Sequence, residues 1–63
     1  MKYFLFNPLT RMYLSGTTPH VVKWGNSYSE IKPIDIDDAK AIRKHHFEKW
    51  GEDIWIVLFE PIG

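Results

Sequence analysis

Histidines and aspartates are the side chains of this 63-residue chain best suited to bind a metal or to exchange protons. His45 and His46 are adjacent, so on a helix they point about 100° apart, unlike the i, i+4 pair that shares a metal ion. His20 lies far away in the sequence, and the chain has no cysteine to complete a site. We therefore predict no metal site. His46 is expected to pack with one ring nitrogen hydrogen-bonded, and His45 to face solvent.

Three aspartates, Asp35, Asp37 and Asp38, lack the glycine-containing ligand spacing of a calcium loop. They fit the N-cap and first turn of a helix, where negative charge is favourable. The serines and threonines of residues 15–29 include no nucleophile elbow and no suitably spaced base. Gly16 and Gly25 are isolated and form no phosphate-binding loop. The sequence thus predicts no catalytic residue, no cofactor and no enzymatic activity.

Composition predicts a single folded domain spanning residues 1–63. Hydrophobic residues make up 44% and aromatic residues 16%, which is too apolar for a disordered segment. Eight basic residues balance eight acidic ones, which argues against a general nucleic-acid binder. The N-terminal apolar run stops at Asn7-Pro8 with no cleavage site after it, and no stretch approaches the roughly 20 apolar residues that span a bilayer. We expect a soluble, cytoplasmic protein with no membrane partner.

Turn signals and apolar patterning predict a small α+β fold. Strands are expected at residues 3–6, 11–14, 21–24 and 54–59, with a turn at 7–10 joining the first two. A helix is expected over Ile36–Trp50, with Asp35 as N-cap and Gly51 in the left-handed position after its end. Its apolar arc consists of Ile36, Ala39, Ile42, Phe47 and Trp50.

The connector at residues 31–34 contains Pro33, which has no N–H to donate, so the segment is an edge strand or a plain connector. The predicted fold class is α+β: an antiparallel sheet of three or four strands with one helix packed on one face. The expected order of elements is β-β-β-α-β.

The last predicted strand, residues 54–59, is apolar on both sides, so both sides have to be shielded from solvent. Its alternating side chains are Ile54, Ile56 and Leu58 on one side and Trp55, Val57 and Phe59 on the other. The first strand adds either Tyr3 and Leu5 or Phe4 and Phe6 to the second set. One helix covers one face only, so the other is covered either by loop 15–30, which carries Trp24 and Tyr28, or by another protein or a second copy.

The run KYFLFNPLTRMYL at residues 2–14 is similar to the first hairpin of many very short bacteriophage and prophage proteins. The tryptophan in the third strand, the helix start Asp37-Asp38-Ala39 and the closing strand extend the resemblance over most of the chain. The resemblance implies a viral accessory protein of the host cytoplasm. Such a protein would bind a host enzyme or defence factor and inhibit or redirect it.

We therefore predict a non-enzymatic protein-binding module whose partner is a host protein or a second copy of the chain. The residues predicted to contact the partner are Trp55, Phe59, Tyr3, Tyr13 and Arg43. Arg43 falls within the apolar arc of the helix, where it either snorkels over the sheet rim or makes a charged contact at an interface. Two alternatives stay open. The protein could be nucleic-acid-associated, with aromatic residues stacked on bases and with Lys23 and Arg11 near phosphates, or it could be a structural homo-oligomer.

Overall fold

A computed structural model describes residues 1–17 and 22–60 of the chain. The elements follow the order β1 (Lys2–Asn7), β2 (Met12–Thr17), β3 (Val22–Gly25), a 3₁₀ turn (Tyr28–Glu30), α1 (Ile36–Trp50) and β4 (Trp55–Phe59). The four strands form one antiparallel sheet in the spatial order β3-β2-β1-β4. The predicted α+β class is confirmed. His20, the predicted strand start at Val21 and Pro61 lie outside the described residues.

The hairpin between β1 and β2 is organised by Asn7. Its side-chain Oδ1 accepts the N–H of Leu9 at 3.0 Å, and its carbonyl oxygen accepts the N–H of Arg11 at 2.7 Å. Arg11 takes a φ of 59°, so the chain turns through a left-handed residue before β2 begins at Met12. The turn predicted from Asn7-Pro8 is confirmed, and the second strand begins one residue later than expected.

The connector around Pro33 lies against β1 and β2 where these two strands separate. Tyr3 and Ile34 exchange both of their backbone hydrogen bonds at 2.8 Å, and Lys32 donates its N–H to the carbonyl of Leu14 at 2.9 Å. Pro33 lies between these two donors, and it has no N–H of its own that would need a partner. The segment is therefore a connector that takes the place of β2 beside Tyr3, and Ile34 is buried there.

Helix α1 has the bounds that its sequence predicts. Gly51 adopts the left-handed conformation at φ 69°, and its N–H bonds to the carbonyl of Phe47 at 2.7 Å. Asp35 stands at the N-cap, with its carboxylate bonded to Lys2 Nζ at 2.9 Å. This exposed ion pair links the helix start to the first residue of β1.

The helix packs against β1 and β4, and this contact forms the core. The buried apolar residues are Leu5, Leu14, Ile34, Ala39 and Ile54, with Trp24, Ile42 and Ile56 packed around them. The predicted apolar arc is wrong at Phe47 and Trp50, which are 52% and 61% exposed. The arc is wider than the strip of sheet beneath it, so these two side chains project on either side of the contact.

Candidate functional site

Strand register determines which side of the sheet the helix leaves open. Residues that are paired across antiparallel strands share a face, and neighbouring residues in one strand alternate between faces. Leu5 pairs with Ile56 on the core side. Phe6 pairs with both Trp55 and Tyr13, so all three belong to the opposite side. The uncovered side is therefore the one that carries Trp55, a choice that the sequence left open.

We refer to this side as the aromatic face, and it consists of Phe4, Phe6, Tyr13, Tyr28, Trp55, Val57 and Phe59. Five of its rings, those of Phe4, Phe6, Tyr13, Tyr28 and Trp55, form one continuous set of contacts. Phe6 lies 5.0 Å from Tyr13 and 5.7 Å from Trp55 between ring centroids. Phe4 lies 6.0 Å from both Tyr13 and Tyr28, and Tyr13 meets Tyr28 edge-on at 5.8 Å. These tilted and edge-on arrangements are the ones that aromatic quadrupoles favour.

The aromatic face is packed within itself but remains open to solvent. Tyr28 is 60% exposed and Trp55 is 56% exposed, while Phe4, Phe6 and Tyr13 are half-buried by their neighbours. No helix or strand of residues 1–17 and 22–60 lies over this face, apart from the 3₁₀ turn at its β3 end. Large side chains are thus held in place by neighbouring rings while two of them still present most of their surface.

Tyr28 reaches the aromatic face because of the turn after β3. Ser27 caps this turn through its Oγ, which accepts the N–H of Ser29 at 3.3 Å. Gly25 leaves room for the carboxylate of Glu30, which a Cβ at this position would displace. Trp24, by contrast, lies on the helix side, with its ring 5.5 Å from that of His46. Of the two aromatic residues expected to cover the open face, only Tyr28 therefore touches it.

The structure separates the residues predicted to contact a partner. Trp55, Phe59 and Tyr13 lie together on the aromatic face. Tyr3 pairs with Leu58 and so faces the helix side. Arg43 is an exposed residue of α1 and lies beside the start of β4, near Asp53 and Ile56. The sequence prediction assigned Phe4 and Phe6 no side, and the signal that could have placed Tyr28 was the Gly25-Asn26-Ser27 turn before it.

Charges around the aromatic face balance each other. Lys23 and Lys2 belong to this side by strand alternation. Lys2 is paired with Asp35, and the hydrogen bond from Lys2 is the main reason that the pKa of Asp35 lies below its ordinary value. Glu30 adds a negative charge beside Gly25. The charged side chains that these pairings and contacts place around the aromatic face are thus two basic and two acidic ones.

A second apolar surface lies on the helix side, between α1 and the strands β2 and β3. This groove has a volume of about 630 Å³, and its apolar lining includes Met12, Val22, Trp24, Ile42 and Trp50. It exists because α1 packs over β1 and β4 and leaves the other half of that side partly open. Lys49 Nζ lies 5.3 Å from the Trp50 ring, at a distance typical of a cation–π contact.

A polar network closes one end of the groove. Oε1 of Glu52 accepts hydrogen bonds from Asn7 Nδ2 and from His46 Nε2, both at 2.9 Å. These two bonds hold the pKa of Glu52 below its ordinary value, and the bond from His46 has the larger effect. His46 is therefore a packed, hydrogen-bonded residue and His45 is exposed, as predicted. The network ties the hairpin turn to the end of α1.

A metal site is recognised by the types of its side chains and by the distances between them. Within residues 1–17 and 22–60, no three side chains of the His, Asp and Glu types come close enough together to hold a metal ion. Nor does any helix there have the length and hydropathy to cross a membrane. Comparison with models of known families, with curated proteins and with solved structures gave no match to this chain.

Proposed function

We propose that the protein is a non-enzymatic binding module that docks its aromatic face onto an apolar, uncharged surface of a partner protein. Following the resemblance to short bacteriophage proteins, the partner would be a bacterial host protein in the cytoplasm. The module would inhibit or redirect that protein by occluding the surface it covers. The observation that carries the proposal is the exposure of Tyr28 and Trp55 on a face whose remaining rings hold them in place.

Residue type and rigidity both support this use of the face. Tryptophan and tyrosine dominate the binding energy of protein interfaces because they bury large areas with few rotatable bonds. Side chains that are already ordered lose less conformational entropy on binding. Trp55 contacts Phe6, and Tyr28 contacts both Phe4 and Tyr13, so neither ring has to be ordered from a free state. The aromatic face is therefore suited to form the centre of an interface.

The charge balance favours a protein over a nucleic acid as the partner. A nucleic-acid interface needs several basic side chains along the path of the phosphates. On the aromatic face Glu30 lies beside Gly25, two residues from Lys23, and Lys2 is bonded to Asp35. A nucleic-acid complex would weaken steeply as salt is raised, whereas an apolar protein interface would change little.

The experiment compares two tryptophans of nearly equal exposure on opposite sides of the molecule. Trp55→Ser alters the aromatic face at a residue 56% exposed, and Trp50→Ser alters the helix-side groove at a residue 61% exposed. Tagged wild-type protein and both variants are used to capture partners from a bacterial lysate, with mass spectrometry of the bound proteins. Circular dichroism checks that each variant is folded.

We expect Trp55→Ser to lose the protein captured by the wild type, and Trp50→Ser to retain it. Tyr28→Ser should weaken capture in the same direction as Trp55→Ser. Loss of capture with Trp50→Ser and retention with Trp55→Ser would assign binding to the groove and refute the proposal. Capture of RNA or DNA that disappears at high salt would favour the nucleic-acid alternative.

A further inference from the structure

The outer edge of β4 is an apolar strand edge with no protein neighbour among residues 1–17 and 22–60. β4 is the last strand of the sheet, and its sequence is Trp-Ile-Val-Leu-Phe. Monomeric proteins usually protect such an edge with lysine, proline, a bulge or a covering segment, because its free N–H and C=O groups pair readily with another strand. The five residues of β4 contain no charge and no proline, and their pairing with β1 is regular.

The backbone groups that face outward along this edge follow from the bonding of Tyr3. Tyr3 gives both its N–H and its carbonyl to Ile34, on the side of β1 away from β4. Its cross-strand partner Leu58 therefore belongs to a pair without hydrogen bonds, and such pairs alternate with bonded pairs along an antiparallel ladder. Leu5–Ile56 is the next pair of this kind. The N–H and C=O groups of Ile56 and Leu58 thus point away from the sheet.

We propose that two copies of the chain associate through antiparallel pairing of their β4 strands about a two-fold axis at Val57. In this register Ile56 exchanges both backbone hydrogen bonds with the partner's Leu58, and Leu58 with the partner's Ile56. The two valines at position 57 face each other in the unbonded pair between them. The product is a continuous eight-stranded sheet in which each outward backbone group of Ile56 and Leu58 has a partner.

Side chains on both sides of the edge suit this register. On the aromatic face, Trp55 lies opposite the partner's Phe59, so the two aromatic faces join into one. On the helix side, Ile54 lies opposite the partner's Glu60. Arg43 lines the surface beside Asp53, Ile54 and Ile56, so the partner's Glu60 is brought next to Arg43. The two-fold axis repeats this contact, giving two opposite-charge pairs.

The exposed ring of Phe47 gives a further reason for a second sheet to pair at this edge. Phe47 is 52% exposed and lies on the same side of α1 as Lys40 and Arg43, next to the start of β4. A second sheet edge placed here shields part of this ring. A register shifted by two residues, with the axis at Ile56, would place Glu60 opposite the partner's Glu52 and bring like charges together. The register centred on Val57 places Glu60 opposite the partner's uncharged Ile54 instead.

A charge-exchange experiment tests both the dimer and its register. Sedimentation equilibrium measures the mass of the wild type, of Arg43→Glu, of Glu60→Arg and of an equimolar mixture of the two variants. Each single variant replaces two opposite-charge contacts by two like-charge contacts, and we expect it to weaken self-association about tenfold. In the mixture, both contacts become opposite in sign again, so a mixed dimer should form. Lys23→Glu, the same charge change on the strand at the other edge, is the matched control.

Leu58→Pro provides a second variant that acts on the backbone. The N–H of Leu58 points outward, so proline blocks pairing at the edge while leaving the bonded pairs with β1 in place. We expect this variant to be monomeric and folded by circular dichroism.

A wild type that remains monomeric at millimolar concentration would overturn the dimer. A dimer that neither the charge variants nor Leu58→Pro weakens, or one that the mixture fails to restore, would overturn the β4 register. These measurements use the protein alone, so their failure leaves the capture experiment with Trp55→Ser as the separate test of partner binding.

Discussion

The two faces of the sheet use different side chains and experience different surroundings. The helix side is aliphatic where Ala39 covers it, and Leu5, Leu14 and Ile54 are buried there. The opposite side is aromatic, with Tyr28 and Trp55 more than half exposed. Both sets come from the same strands, because neighbouring residues alternate between faces. Hydrophobicity alone therefore does not decide burial in so small a chain, since α1 removes only one face from water.

Truncation of a buried leucine should have the largest effect on stability. Leu5 is fully buried in the core, and Leu5→Ala should lower the free energy of unfolding by about 2–5 kcal/mol through lost contacts and the cavity left behind. A domain of this size rarely has more than about 3–5 kcal/mol in total, so loss of the cooperative urea transition is the expected result. Far-UV circular dichroism during urea titration measures it.

The matched control is Trp55→Ala, a truncation on a neighbouring strand but on the aromatic face. Because Trp55 is 56% exposed, we expect this change to lower the free energy of unfolding by about 1 kcal/mol. If Trp55→Ala destabilised the fold as much as Leu5→Ala, the aromatic face would belong to the folding core. The contrast between the two faces would then be lost.

An intermediate effect on stability is expected at Asn7, the buried amide that ties the hairpin turn to the end of α1. Asn7 is 3% exposed and bonds to Leu9 N–H and to Glu52. Asn7→Ala removes the acceptor of the Leu9 N–H and one of the two donors to Glu52, and should lower the free energy of unfolding by about 1–3 kcal/mol. Asn26→Ala, at an exposed asparagine before the 3₁₀ turn, is the control and should leave the urea midpoint unchanged.

The smallest effect is expected from acid. The pKa of Glu52 is lower in the folded chain than its ordinary value of 4.5, so its stabilising contribution is fully present above this pH. The contribution is lost as the pH falls through the folded pKa, because protonation removes the charge that His46 and Asn7 bond to. Between pH 6 and pH 3, the urea midpoint of the wild type should therefore fall further than that of Glu52→Gln.

Glu48→Gln, at an exposed glutamate of α1, is the control for the acid titration and should follow the wild type. Equal acid sensitivity of the wild type and Glu52→Gln would show that the network around Glu52 does not contribute to stability. In that case the helix side would depend on its aliphatic contacts alone.

Local features of the chain were determined by the sequence itself. The aspartates before Ala39 and the glycine after Trp50 define a helix whose bounds, Ile36–Trp50, are those of the structure. Asn7-Pro8 specifies the hairpin turn, because a short polar side chain and a fixed φ act within a few residues. The α+β class follows from these elements and from the apolar run of β4. Each of these features depends on contacts between residues close in the chain.

Only the tertiary structure decided which face stays open and what surrounds it. A strand that is apolar on both sides has no polar residues to mark its exposed side, so the sequence could not choose between Trp55 and Ile54 as the exposed residue. That choice depends on where α1 packs, on the pairing of β4 with β1, and on the bonds of Ile34 with Tyr3 across 31 positions of sequence. Such long-range contacts leave no local pattern, and they separate Tyr3 from Trp55, Tyr13 and Phe59.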